Sequence, residues 1–353
     1  SNWIKDFGQF YGTNIFFAES SATTGGLDSL LEPTGNIKKA QDAVARAFGA
    51  KRAFLGTNGT STSNKIVVQA VCKPGDIVIV DRNCHKSHHY GCVLAGAQPY
   101  YVEAFPLTAY SMYGSVPLRT IKKALLDLKA AGRLDKVRMI ALTNVTFDGH
   151  MYDTRRVMEE CLAIKPDLAF MWDEAWFGFG RFNWMYRRRT AMGARQEITE
   201  WFADPRSLEA YLEQEKSLGA DLDPADPRLL DARLVPDPRV ARIRVYQTNS
   251  VHKSMSSLRQ GSMVLVGDQD FHHHEAPFHE AVFTHASTSP NLQIIASLDV
   301  ARRQMELEGY ELVTHAIALA IEIRRDVNAH PLVSKYFRVL EPAEMIPQEF
   351  RPS

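Results

Sequence analysis

From about residue 37 to residue 266, short β-branched and aromatic runs alternate with amphipathic stretches, and few folds accommodate that alternation. It predicts an α/β chain: a three-layer α/β/α arrangement around a mainly parallel sheet. The predicted strands are IVIV at 77–80, PYYVEA at 99–104, VRMIAL at 137–142, LAFMW at 168–172 and RIRVYQ at 242–247. Parallel neighbours need crossovers, usually helices. Leu118, Ile121, Leu125 and Leu128, spaced by three and four just after Pro117, read as one such helix. After Pro290 two amphipathic stretches follow, one carrying Ile294, Leu298, Ala301 and Met305, the other Leu312, Ala316, Leu319, Ile323 and Val327.

Three regions are expected: an N-terminal arm over 1–36, a large domain over 37–310, and over 311–353 the start of a smaller C-terminal domain. Residues 184–240 break the alternation, and DLDPADPRLLDARLVPDPR at 221–239 is rich in Asp, Pro and Arg. This stretch reads as an inserted excursion. Within it, Arg187, Arg188 and Arg189 are expected on a solvated face rather than gripping an anion.

Charge narrows the function classes. Lys plus Arg and Asp plus Glu are both 41, so no net positive field draws the chain to nucleic acid or an anionic membrane. No apolar run approaches the roughly 20 residues that span a bilayer, and SNWIKDFGQF lacks a signal-peptide profile. Cys72, Cys84, Cys92 and Cys161 show no CxxC pairing, which fits reduced thiols in the cytoplasm. A small-molecule ligand or another subunit is the expected partner.

Four strand-end segments carry candidate chemistry. GTNGTSTSNK at 56–65 runs into the apolar helix IVVQAV. Such a loop offers backbone N–H groups and a helix N-terminus to an anion, with hydroxyls from Thr60, Ser61 and Thr62, although the same residues also simply cap helices. It matches neither GxxxxGK[ST] nor GxGxxG. DRNCHKSHHYG at 81–91 puts His85 in the crevice outside a strand, where its flat ring suits stacking on an aromatic cofactor; His88 and His89 read as surface or satisfied residues.

LAFMWDEAWFGFG at 168–180 ends a buried-looking strand on Asp173 and Glu174. A carboxylate there is costly unless paired, so a cationic partner is expected, and a protonated pyridine nitrogen would serve Asp173. Ala175 is small enough to lie against a ring, and Trp176 could wall the site. YQTNSVHKSMSSLRQGSM at 246–263 supplies Ser250, His252 and Lys253, the last a candidate nucleophile among hydroxyls and backbone donors. A surface lysine is the plainer reading of any one Lys; the three other segments weaken it here. THASTSPNLQII at 284–295 adds Ser287, Thr288 and Ser289, one of which helix capping would explain, while FHHHE at 271–275 is a poor metal site.

Together these motifs resemble the bacterial type of ornithine/lysine/arginine decarboxylase, within the fold type I pyridoxal phosphate enzymes. TNGTSTSNKIV, DRNCHKS, Asp-Glu-Ala-Trp at 173–176, SVHKSMSSLRQGSM and THASTSP occur in the family's order, and the match spans roughly residues 25–310. The resemblance implies a sheet of the seven-stranded type and pyridoxal 5'-phosphate held by Lys253 as a Schiff base. It implies that His85 stacks on the ring and that Asp173 pairs with its nitrogen. Thr60, Ser61, Ser250 and His252 would surround the phosphate, with Thr288 reaching a partner subunit's cofactor across a shared dimer interface. Thr146, Asp148 and Gly149 in TNVTFDG match a family turn close to the cofactor.

The implied activity is decarboxylation of a basic amino acid, arginine or lysine ahead of ornithine, with His252 or the released Lys253 returning a proton to Cα. Transamination, aldol-type cleavage and a degenerate cofactor-binding core are the alternatives, since the ring chemistry is shared. Two departures stand out. Eighty positions separate Asp173 from Lys253, longer than the family pattern, and the sequence given stops at FRPS, before the C-terminal domain expected to complete the substrate pocket.

Overall fold

Seven strands form one sheet: β1 (Arg52–Gly56), β2 (Ile77–Asp81), β3 (Gln98–Val102), β4 (Val137–Thr143), β5 (Ala169–Asp173), β6 (Arg244–Asn249) and β7 (Ser262–Val266). Their spatial order is β1-β7-β6-β5-β4-β2-β3, parallel except for β7, which runs antiparallel to both its neighbours. The computed structural model describes residues 2–21, 28–219 and 222–351. Parts of the predicted arm (1, 22–27), of the excursion (220–221) and of FRPS (352–353) therefore lie outside the described residues.

Alternate residues on each strand feed two separate cores. Ile77, Ile79, Ile140, Leu142, Phe170 and Trp172 face one side. There they meet the helices α1 (Asn36–Phe48), α4 (Leu118–Ala130), α5 (Thr154–Ile164) and α6 (Ala191–Ala203). Val78, Val80, Met139, Ala141 and Met171 face the other side. That side is covered by α2 (Thr60–Val71), α3 (Lys86–Ala95) and α8 (Glu275–His285). These two cores give the expected three layers and leave the C-terminal strand ends open for a site.

All five predicted strands are present, and α4 begins directly after Pro117. β1 and β7, five residues each, escaped the sequence reading; each only adjoins a segment read for its chemistry.

The excursion is narrower than 184–240. α6 lies inside that range, yet Ala191, Met192, Ala194 and Ile198 are fully buried, and the Met192 amide donates to Gln247 Oε1 on β6 at 3.0 Å. It is thus the crossover between β5 and β6. What projects is α7 (Pro205–Leu218), a short helix Pro227–Asp231 and their connections. Three Asp-Pro-Arg tripeptides, at 204–206, 226–228 and 237–239, order this part: each Asp accepts from the Arg backbone two residues on and pairs with its guanidinium. In the first two, Asp caps a helix whose first residue is proline. Buried Lys122 ties the region down, donating to Glu160 Oε2 at 2.7 Å and to the Ala232 carbonyl at 2.8 Å. The arginine run behaves as expected, with Arg188 paired to Glu197 and Arg189 to Asp153.

The two amphipathic stretches after Pro290 are one continuous helix, α9 (Leu292–Ala329), which passes unbroken through the expected boundary at 310. Its first half packs into the core through Ile294, Leu298, Ala301 and Met305, whereas Leu312, Leu319 and Ile323 are exposed. Its N-cap is Asn291, accepting from the Ile294 amide, so none of Ser287, Thr288 and Ser289 caps it. No helix among the described residues is long and apolar enough to cross a membrane. All four cysteines are free.

Candidate active site

A cavity of about 490 Å³ opens at the C-terminal edge of the sheet, on the side of α2 and α3. Thr143, Asp173 and Thr248 stand in register at the ends of β4, β5 and β6. The pleat turns Asp173 toward α2 and α3, and turns Glu174 the opposite way.

Asp173 is 3% exposed and densely hydrogen-bonded. Its Oδ2 accepts from Asn64 Nδ2 at 2.8 Å and lies 3.1 Å from His88 Nε2; its Oδ1 accepts from the Ala175 amide at 3.0 Å. Burial alone would raise this carboxyl, but the hydrogen bonds from His88, Asn64 and the Ala175 amide outweigh it and hold the group below its ordinary value. Among the described residues no lysine or arginine pairs with Asp173; its one side-chain ion-pair candidate is His88. Asn64 is itself fixed, accepting from Thr248 Oγ1 at 2.7 Å and donating to Ser87 Oγ at 3.0 Å.

His85 caps α3, its Nδ1 accepting from the Ser87 amide at 3.2 Å and lying 2.8 Å from Ser87 Oγ. Burial leads in lowering its pKa, opposed by Asp173 and helped by Lys253, so the half-buried ring that faces the cavity disfavours its charged form. Lys253 follows β6 on the short turn Val251–Ser254, and its Nζ lies 4.4 Å from the centre of the Trp176 ring. Among the described residues it has no carboxylate partner. Trp176 lines the cavity and is partly exposed, with Phe147 edge-on to it at 6.3 Å.

The anion cradle lies at the start of α2. Gly59 has φ of +74°, a conformation that suits glycine, and its amide donates to the Gln260 carbonyl at 2.8 Å. Thr60 Oγ1 and Ser250 Oγ lie 2.5 Å apart, and Ser61 lines the same wall. His252 Nδ1 is 2.9 Å from the Gly261 carbonyl, which leaves Nε2 for the cavity.

The structure thus brings Thr60, Ser61, His85, Asp173, Ala175, Trp176, Ser250, His252 and Lys253 to one cavity. Two expected residues lie elsewhere. Thr62, two positions into α2, turns away and donates to the Asn58 carbonyl at 3.2 Å. Thr288 is exposed and does not line the cavity of its own chain. Thr146, Asp148 and Gly149 also stay off the wall; Thr146 closes a turn with His150, and Gly149 has φ of +87°. In FHHHE, Phe271 is buried, Glu275 pairs with Arg52, and His272 and His273 are exposed.

Sequence reasoning missed Asn64, Thr143, Arg259 and Gln260 on the cavity wall, and it placed His88 with surface or satisfied residues. A helical count would have found Asn64, one turn beyond Thr60 on α2, and His88, one turn beyond His85 on α3. Thr143 Oγ1 is buried without a hydrogen-bond partner, and Arg259 lacks an ion-pair partner among the described residues.

Residues 4–204 and 230–351 match the family model described as Orn/Lys/Arg decarboxylase, major domain. The unmatched interval begins with α7, which agrees with the narrower excursion. Lysine decarboxylase LdcA of Pseudomonas aeruginosa is 33% identical over 327 residues, covering 90% of this chain and 38% of that protein. The biodegradative arginine decarboxylase of Escherichia coli is 30% identical over 325 residues, covering 90% and 37%. The ornithine decarboxylase of Haemophilus influenzae is 30% identical over 335 residues, covering 91% and 40%. The solved structure of lysine decarboxylase A from Pseudomonas aeruginosa superposes with a TM-score of 0.71 at 29% identity, over 96% of this chain and 40% of that one. The Francisella novicida lysine decarboxylase LdcF gives 0.70 at 28% identity, over 95% and 40%. The chain therefore spans well under half the length of these relatives, and within that span it belongs to the Orn/Lys/Arg decarboxylase family, matching its major domain.

Proposed function

We propose that this chain binds pyridoxal 5'-phosphate covalently at Lys253 and forms the catalytic core of a decarboxylase for a basic amino acid, arginine or lysine in preference to ornithine. The observation that carries this reading is Asp173: a buried carboxylate held ionised by side-chain and backbone donors, with no lysine or arginine partner among the described residues, at the wall of the cavity that holds an unpaired Lys253. Such a carboxylate calls for a cationic ligand, and a protonated pyridine nitrogen meets that demand.

The remaining residues fit the same group. Thr60, Ser61 and Ser250, with the N-terminus of α2, offer donors to a phosphate. His85 presents a neutral ring face and Ala175 a small methyl, suited to the two sides of a flat heterocycle. The cavity volume lies within the usual range for ligand sites. When bound, the cofactor supplies an electron sink for the pair left as CO2 departs.

Asp173, with its lowered pKa at the cavity wall, would hold a proton on the cofactor's ring nitrogen, which the electron sink requires. Lys253, at the cavity wall without a carboxylate partner among the described residues, would hold the cofactor through its amine and, once freed, would be placed to move a proton. Trp176 walls the cavity beside the Lys253 amine. As the bond between Cα and the carboxylate breaks and CO2 leaves, a proton delivered by His252 or the freed Lys253 takes its place on Cα, giving the amine.

The lysine, arginine and ornithine decarboxylases among the relatives support a basic substrate. We further read the chain as one protomer of a cytoplasmic homodimer, exposed Thr288 reaching the partner's cofactor. Incubation with pyridoxal phosphate and a panel of amino acids tests the activity. CO2 and an amine from lysine or arginine are expected, whereas formation of an α-keto acid would overturn the decarboxylase reading.

A further inference from the structure

His88 lies on the first turn of α3, 1% exposed, in a position that the cofactor reading does not require. Its Nε2 is 3.1 Å from Asp173 Oδ2, while its Nδ1 is buried with no hydrogen-bond partner. The imidazole is therefore held through one nitrogen. A charged ring would carry a second N–H with nothing to accept it, which burial penalises. The neutral tautomer with hydrogen on Nε2 leaves only an unshared lone pair there.

The neighbouring donors are of the same kind. Asn64 contributes an uncharged amide to Oδ2 and Ala175 a backbone N–H to Oδ1. Oδ2 thus carries two donors and Oδ1 one, which leaves Oδ1 with capacity for another. An imidazolium beside Asp173 would cancel the charge that a pyridinium needs; a neutral imidazole orients the carboxylate and leaves its charge available. Asp81, His85 and His89 are the other titratable groups close to His88.

We propose that His88 is a positioning residue: it donates to Asp173 as a neutral imidazole, setting the carboxylate's aim while reserving its negative charge for a cationic ring in the cavity. This rests on the cofactor assignment above, and it concerns a residue that would touch neither cofactor nor substrate.

The test has two parts. In the wild-type protein without cofactor, nitrogen-15 NMR of the His88 ring reads its tautomer directly. A neutral ring protonated on Nε2 is expected; an imidazolium, or hydrogen on Nδ1, would overturn the proposal. In the second part, wild type, His88→Gln and His88→Met are loaded with pyridoxal phosphate labelled at its ring nitrogen. His88→Gln, whose amide can still donate, is expected to keep the protonated-ring signal. His88→Met is expected to lose much of it and to bind the cofactor about tenfold more weakly, as when outer partners of ligating groups are removed. A loaded His88→Met protein with the wild-type ring-nitrogen shift and affinity would overturn the proposal. If His88→Met does not fold, the wild-type tautomer and the His88→Gln signal still decide. If wild type takes up no cofactor, the cofactor reading fails, and the tautomer measurement stands apart from that failure.

Discussion

Asp173 and Glu174, consecutive at the end of β5 and both buried, are held in opposite protonation states. Asp173 turns to the cavity and is kept ionised. Glu174 turns to the other face, where burial pushes its carboxyl up to about 8, against the Ala191 amide at 2.7 Å and Asn144 Nδ2 at 3.0 Å, with Asp173 adding to the rise. Both donors reach Oε1, and Oε2 has no partner. Pleat direction alone separates a carboxylate suited to pairing with a cation from an acid that joins β5 to α6.

The Glu174 shift fixes a sign for stability. A carboxyl raised in the folded state binds a proton that the unfolded chain has released, so its contribution is complete below about 4.5 and is lost as pH rises through about 8. Glu174→Gln mimics the protonated form and should escape that loss. Urea denaturation should show the variant gaining on wild type across this window, by on the order of a few kcal/mol at the top. Parallel stability curves would contradict the assignment.

The Thr60–Ser250 pair predicts a separation between two ligands. Thr60→Val and Ser250→Ala should weaken pyridoxal phosphate binding about tenfold each, the loss of roughly one charge-assisted hydrogen bond. Binding of pyridoxal, which has no phosphate, should change little. Equal losses for both ligands, measured by fluorescence titration, would place the cradle elsewhere.

The narrower excursion predicts where the chain tolerates deletion. Replacing 205–229 by a short flexible linker should leave cofactor binding within about twofold, because the linked ends are surface connections. Removing part of α6 should abolish soluble expression. By contrast, Lys122→Met, which takes one partner from the buried Lys122–Glu160 pair, should cost about 3 kcal/mol in chemical denaturation.

The sequence disclosed the strands with a buried, β-branched signature and the chemical segments at their ends, since both are local patterns. It did not disclose β7, whose place depends on pairing with nearby β6 and with β1, far back along the chain. α6 was hidden because Gly193, Arg195 and Gln196 interrupt its apolar pattern, although Ala191, Met192 and Ile198 reach the core. Of the residues that share the cavity, Lys253, Asp173 and His85 stood out in the sequence, where residue type suggests chemistry. Asn64 and His88 did not, because an Asn or a His inside a helix gains its role only from the carboxylate that β5 brings beside it.

The central claim is that Lys253, among all the lysines, carries the cofactor. Loading the protein with pyridoxal phosphate, reducing it with borohydride and mapping the tagged peptide by mass spectrometry tests this directly. The account predicts a single pyridoxyl group on Lys253, with none retained in Lys253→Ala; a tag on another lysine, or the same labelling in Lys253→Ala, would contradict it.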